Sequence, residues 1–231
     1  MKRLMKRLLI RATAVITLAL MLAGCGKGDP VSPAVTASIS AGPDAAESST
    51  QNANGDVTAP PIAVNPQVRI STSLGDFVVR LDDKNAPITV KNFLWCANTG
   101  RYDDTIFHQV LEDYVALGGG YTVDLVERPT HFTIRNEAFN RVKNLRGTIA
   151  MARQPDVVDS STCQFFINLA DNPQLDHRSE EDAEGYGYCV FGKVVEGWDV
   201  VEQIAQVKAA DKDGFVSVPV VPVVIHSVSH Q

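Results

Sequence analysis

Hydrophobic and polar positions alternate from Val68 to Leu81: Val68 and Ile70 lead into a Leu74-Gly75-Asp76 turn, and Phe77, Val79 and Leu81 lead out of it. Alternation places one set of side chains on one face of a strand, so two such runs about a turn predict a β-hairpin. The period then lengthens. Asn85-Ala86-Pro87 predicts a helix start with a polar cap and an early proline, where a missing N–H costs little. Val90, Phe93, Leu94 and Ala97 recur at helical spacing, and Gly100 is a natural stop. Short β-like runs follow at Thr105–Val110, Gly147–Ala152, Gln164–Asn168, Tyr188–Val194 and Val220–Val228, separated by Gly- and Asp-rich turns. A second short helix is predicted at Trp198–Gln206, with Val201, Ile204 and Ala205 facing inward. Some seven strands and two helices without βαβ alternation predict a mainly β barrel or sandwich carrying helices.

The first 65 residues have a different texture. Residues 1–11 hold five basic side chains (Lys2, Arg3, Lys6, Arg7, Arg11), and thirteen uncharged residues, Ala12 to Gly24, follow. A bilayer span needs about 20 apolar residues, so this stretch predicts an export signal rather than a membrane helix. Leu22-Ala23-Gly24-Cys25 resembles a bacterial lipobox, which implies a signal over residues 1–24, cleavage before Cys25 and lipidation of its thiol. Gly26, standing where an aspartate would signal inner-membrane retention, favours the outer membrane. Residues 26–64 contain no aromatic residue and no regular apolar period. Such a segment buries too little apolar surface to offset its ordering entropy, so residues 25–65 are expected to be a lipidated cysteine and a disordered linker, with a folded domain at 66–231.

Charge sharpens the picture. The chain of 231 residues has 21 Lys+Arg and 27 Asp+Glu. Without the five basic residues of the signal the balance becomes 16 against 27, a net charge of −11. Phosphate neutralisation needs a basic footprint, so no nucleic-acid partner is expected. Of the four cysteines (Cys25, Cys96, Cys163, Cys189), three remain if Cys25 is lipidated, and these allow one disulfide at most. No CxxC or paired His/Cys spacing exists, so no metal site is expected. Gly118-Gly119-Gly120 lacks the GxxxxGK pattern of a phosphate loop and points to tight backbone packing instead. The acidic run Glu180-Glu181-Asp182-Ala183-Glu184 is expected to be a solvated loop, and Asp103-Asp104, Asp211 and Asp213 to be turn residues.

Six motifs stand in order: Phe107-His108-Gln109-Val110, Leu117-Gly118-Gly119-Gly120-Tyr121, Gly147-Thr148-Ile149-Ala150-Met151-Ala152, Gln164-Phe165-Phe166-Ile167-Asn168, Leu175-Asp176 and Val190-Phe191-Gly192-Lys193-Val194. With them the stretch from about Val68 to Val228 resembles the cyclophilin family of peptidyl-prolyl isomerases, and most of all its bacterial periplasmic members. The resemblance implies an eight-stranded antiparallel β-barrel closed by two α-helices, no cofactor, and proline-containing polypeptides as partners. A monomer is expected, held in the bacterial envelope by its lipid anchor and facing the periplasm.

The chemistry needs little machinery. Rotation about an X–Pro bond is opposed by amide resonance, with a barrier of ~18–20 kcal/mol. The twisted transition state frees a lone pair on the prolyl nitrogen, so a catalyst need only seat the ring in an apolar slot and aim a donor at that nitrogen. In the resemblance the donor is the arginine of a Phe-His-Arg motif; here that position is Gln109, with His108 beside it. Glutamine is neutral and shorter, and a charge-assisted bond is roughly twice as strong. Weakened catalysis is therefore expected. Phe166 matches the floor of the proline pocket, Tyr114 offers an aromatic wall, and Ala152, Gln164 and Leu175 match groove positions. Further departures fall at Glu112-Asp113-Tyr114-Val115, where the family reads Pro-Gly-Phe-Met, at Leu117 for a glutamine, and at Gln174 for an aromatic. Tyr188 stands where histidine or tyrosine is usual. The expected activity is prolyl isomerisation assisting the folding of exported proteins. The alternative is a non-catalytic proline-peptide-binding module or envelope scaffold.

Overall fold

The computed structural model describes residues 65–130 and 132–231. The export signal, Cys25 and the linker up to residue 64 lie outside the described residues. Eight strands close a barrel: β1 (Gln67–Thr72), β2 (Gly75–Leu81), β3 (Thr105–Leu111), β4 (Val115–Thr122), β5 (Thr148–Met151), β6 (Phe165–Asn168), β7 (Val190–Glu196) and β10 (Val224–His230). Their order around it is β1-β10-β3-β4-β6-β5-β7-β2, every pairing antiparallel. Closure pairs each barrel strand on both sides, most briefly where β10 meets β3 through Val224–Ile106 and Ile225–Thr105. β8 (Ala209–Lys212) and β9 (Phe215–Pro219) form a separate two-stranded hairpin, which packs on β3.

Alternation fills the barrel. Ile70, Phe77, Val79, Phe107, Ile149, Phe165, Ile167 and Phe191 point inward and are buried in one cluster. Phe93 from helix α1 (Pro87–Asn98) enters the same cluster, its ring 5.0 to 5.7 Å from those of Tyr102, Phe165 and Phe191. Helix α3 (Trp198–Ala205) covers the barrel with Val200, Val201 and Ile204. The acidic run contains one further turn of helix, α2 (Ala183–Tyr186), because the Asp182 carboxylate accepts from Gly185 N–H at its start. It was expected as a loop; its carboxylates are nonetheless exposed.

Two local expectations are corrected. The β1–β2 turn is Ser73-Leu74, one residue earlier than expected, with Thr72 paired to Gly75. The start of α1 has no local polar cap: Ala86 occupies the capping position, and the Asn85 amide donates to Asp82. The buried carboxylate of Glu137, 48 residues on from Thr89, takes that role. It accepts from Ile88 N (3.2 Å), Thr89 N (2.8 Å) and Thr89 Oγ1 (2.8 Å), satisfying donors that a helix start leaves open. A disulfide joins Cys96 of α1 to Cys163, Cα to Cα 6.2 Å, and Cys189 is free and buried. Burial pushes the Cys189 thiol up to about 12.

Candidate active site

Strand pairing decides which side chains face outward beside one another. On β6, Phe165 and Ile167 enter the core, so Phe166 must face out. It pairs with Leu117 on β4 and Ala150 on β5. Val115, Ala150, Phe166, Leu175 and Val190 form a second buried cluster outside the barrel, with Tyr114, Leu117, Ala152 and Tyr188 packed around it.

Above this cluster lies a shallow, open pocket walled by Tyr114, Val115, Leu117, Ala152, Arg153, Phe166, Leu175 and Tyr188. Phe166 is only 4% exposed and meets the Tyr188 ring edge to face, 5.6 Å between centroids. Burial raises the hydroxyl pKa of both Tyr114 and Tyr188, so each remains a neutral donor at physiological pH. The walls are thus largely apolar, with phenol groups and one guanidinium at the margin, a chemistry that suits a proline ring and its flanking amides.

Arg153 is the lining residue that the motifs did not single out. Its guanidinium lies 4.7 Å from the Tyr188 ring centroid. Nε donates to Gly187 O (3.0 Å), Nη1 to Gln154 O (2.8 Å) and Pro155 O (2.7 Å), and Nη2 to Ala183 O. It thereby ties the segment bearing Tyr188 to the loop after β5. The one signal in the sequence was its place beside Ala152.

Gln109 is buried, 8% exposed. It pairs with Leu117 across β3 and β4, and paired residues share a face, but it does not line the pocket itself. Its Nε2 donates to Val216 O of β9 at 3.2 Å. The strand is irregular here: Phe107 pairs with Gly118 and Gln109 with Leu117, leaving His108 between them without a partner in the ladder. Such bulges re-aim side chains. The His108 ring turns away from the pocket and stacks edge-on against Tyr121 at 4.6 Å. It is 3% exposed, and burial lowers its pKa to about 4, so it is a neutral packing group here rather than a proton carrier beside the donor.

Two other expected groove residues do not wall the pocket. Gln164 packs on Gly120 and lines a smaller depression with Arg101, Arg128 and Cys163. A Cβ on Gly120 would come 2.5 Å from the Gln164 side chain, and one on Gly119 (φ +80°) would meet Phe165 and Tyr102 at 2.9 Å. The glycine triplet is therefore a matter of close packing. Gln174 is exposed, and its amide donates to Asn172 Oδ1 at 3.2 Å. Asn172 belongs to a buried amide network under the pocket, donating to Tyr114 O (3.0 Å) and to Asn168 Oδ1 (2.8 Å). Asn168 in turn donates to Asn144 Oδ1 and Thr148 Oγ1.

A family model described as cyclophilin type peptidyl-prolyl cis-trans isomerase/CLD matches residues 67–230. The chain is 45% identical over 160 residues to peptidyl-prolyl cis-trans isomerase A of Dickeya dadantii, covering 69% of this chain and 82% of that one. It is 48% identical over 160 residues to peptidyl-prolyl cis-trans isomerase cyp18 of Streptomyces antibioticus, covering 69% and 95%. To peptidyl-prolyl cis-trans isomerase B of Escherichia coli it is 44% identical over 162 residues, covering 70% and 98%. Among solved structures, a cyclophilin type peptidyl-prolyl cis-trans isomerase of Cryptosporidium parvum superposes with a TM-score of 0.58 at 25% identity, covering 72% of this chain and 98% of that one. Barrel, pocket and relatives agree, and the chain belongs to the cyclophilin-type peptidyl-prolyl cis-trans isomerases.

Proposed function

We propose that this isomerase acts on prolyl bonds of exported polypeptides, and that Gln109 holds its rate below that of an arginine-bearing site. The prolyl ring would seat on Phe166 between Tyr114, Leu175 and Tyr188, burying apolar surface and fixing the ring while the preceding carbonyl turns. Gln109, on the same face as Leu117, would offer an amide N–H to the prolyl nitrogen as its lone pair develops. No nucleophile or metal takes part; the acceleration comes from interactions stronger in the twisted state than in the planar one.

The observation that carries the reduced rate is the bond from Gln109 Nε2 to Val216 O. A glutamine amide has two N–H groups, so one remains for substrate, and it is uncharged. An exported location is supported by the leader over residues 1–24 and by the Cys96–Cys163 disulfide, which persists in oxidising compartments. Anchoring through Cys25 would keep a monomeric domain at the outer membrane, facing the periplasm and its unfolded clients.

Protease-free isomerisation of a proline peptide by the full chain tests the reading. Gln109→Arg should raise kcat/KM about tenfold, the worth of one charge-assisted bond over a neutral one. Gln109→Ala should lower it. Equal rates in all three proteins would refute the donor assignment, and peptide binding without turnover in the wild type would establish a capture module instead. Retained lipid labelling of Cys25→Ser would refute the anchor.

A further inference from the structure

The β8–β9 hairpin joins no barrel ladder, yet it is fastened to the strand that carries Gln109. One fastening is aromatic. Phe215 meets the Tyr121 ring edge-on at 4.9 Å and the His108 ring at 6.3 Å, so the hairpin tip closes a three-ring cluster on the outer face of β3 and β4. The other is polar and involves a single peptide unit. The C=O and N–H of the Val216–Ser217 amide lie in one plane and point in opposite directions. Val216 O accepts from Gln109 Nε2 at 3.2 Å, while Ser217 N donates to Asp211 Oδ1 at 3.0 Å. This unit is held at both ends, by the candidate donor on one side and by a carboxylate of the facing strand on the other.

The backbone is bent to suit. Ser217 has φ 55°, a left-handed conformation that costs an L-residue about 1–2 kcal/mol. The bend is sustained by the Asp211 bond and the Phe215 packing that flank it.

We propose that the Val216–Ser217 peptide unit is the positioning device for the Gln109 amide, with Asp211 and Phe215 as its positioning residues. This inference rests on the reading of Gln109 as the donor. A glutamine side chain has three rotatable bonds, and an amide without a fixed partner spends little time in any one orientation. Fixing one N–H on Val216 O fixes the amide plane, and with it the direction of the second N–H. The preorganisation that a charged, forked guanidinium supplies by itself is here supplied by the hairpin. Asp211 thus has a task beyond the turn-forming one its sequence context suggests.

The test uses the full chain with Asp211→Ala and Phe215→Ala, each made in the wild type and in Gln109→Ala. Protease-free isomerisation gives kcat and KM, a fluorescence titration gives the peptide Kd, and the side-chain amide ¹⁵N–¹H resonances report on Gln109. In the wild-type background each substitution should lower kcat about fivefold, the scale of a lost orientation rather than a lost donor. The peptide Kd should hold, and the two Gln109 amide proton shifts should move toward those of a free glutamine side chain. In the Gln109→Ala background neither substitution should change kcat further. Equal losses in both backgrounds, or an unaltered kcat and amide signature in the wild-type background, overturn the proposal. Asp211 is exposed, so its variant carries the test if Phe215→Ala fails to fold. If Gln109→Ala keeps full kcat, the donor reading falls and this inference with it; if Gln109→Ala loses activity while the hairpin variants do not, only this inference falls.

Discussion

Replacing Glu137 should unseat helix α1 from its start. Two of the three groups on this carboxylate, Thr89 N and Thr89 Oγ1, belong to a residue with no exposed surface, so water cannot replace the lost partner. The third, Ile88 N, belongs to a residue 43% exposed and can turn to solvent. In Glu137→Ala the Thr89 N–H is orphaned and Thr89 Oγ1 keeps only its 3.5 Å contact with Cys189 Sγ, which at about 1–3 kcal/mol for an orphaned group puts the loss near 3–4 kcal/mol. Glu137→Gln keeps the shape, and its one carbonyl oxygen can still serve Thr89. It forfeits charge assistance and the favourable placing of an anion at a helix N-terminus, a loss near 2–3 kcal/mol. The desolvation of a buried carboxylate opposes these terms and makes the glutamine variant the milder one. Urea denaturation should show the midpoint falling in that order at constant m-value, and amide exchange at Thr89 should lose protection first. If both variants stay within about 0.5 kcal/mol of wild type, the remote cap contributes little and the argument fails.

Phe166→Ala should cost peptide affinity at least about tenfold, read by fluorescence titration, because the prolyl ring loses its floor; an unchanged Kd would place the ring elsewhere. Removing the Cys96–Cys163 bridge by double serine substitution frees a 67-residue separation and should lower stability by about 4 kcal/mol on the loop-entropy account, read as a urea midpoint shift matched by reductant in the wild type. His108 has a folded pKa of about 4 against an ordinary 6.5. The unfolded chain therefore binds the extra proton between these values, and stability should be full above pH 6.5 and decline as pH falls toward 4, by about 3 kcal/mol in the limit. His108→Phe should flatten that slope in pH-dependent denaturation, and an unaltered slope would assign it to other groups.

Local period carried most of the barrel. The β1–β2 alternation, the α1 spacing and Val201 with Ile204 in α3 all lie where their patterns predict, because each buries one face against a single core. Hydrophobicity misled at the last strand: Val220 and Val221 are 55% and 77% exposed, and pairing begins only at Val224, beyond Pro222. The β8–β9 hairpin was missed because its strands lie over the barrel and are half solvated, so alternation is weak and the aspartates read as turns. Glu137 carries no local signal at all, since a cap supplied from 48 residues away depends on the closed fold.

The site divides along the same line. Phe165 and Phe166 are adjacent and chemically identical, and only register makes one core and the other pocket floor. The motif resemblance supplied that choice, and with it seven of the eight pocket walls, all but Arg153. Gln164, Gln174 and His108 lie outside those walls, and their directions depend on a bulge and on what packs over them. Gln109 shows why the distinction matters for mechanism. Its identity predicts a weaker donor, but its orientation comes from Val216, a backbone group in a hairpin that no motif marks. A carbonyl can do this in any sequence that brings it within reach, so the determinant of the amide's direction is the path of the chain from Ala209 to Pro219, held by Asp211 and Phe215, rather than the side chain of Val216 itself. Variation in that hairpin should therefore alter the rate while leaving the pocket, and the peptides it accepts, as they are.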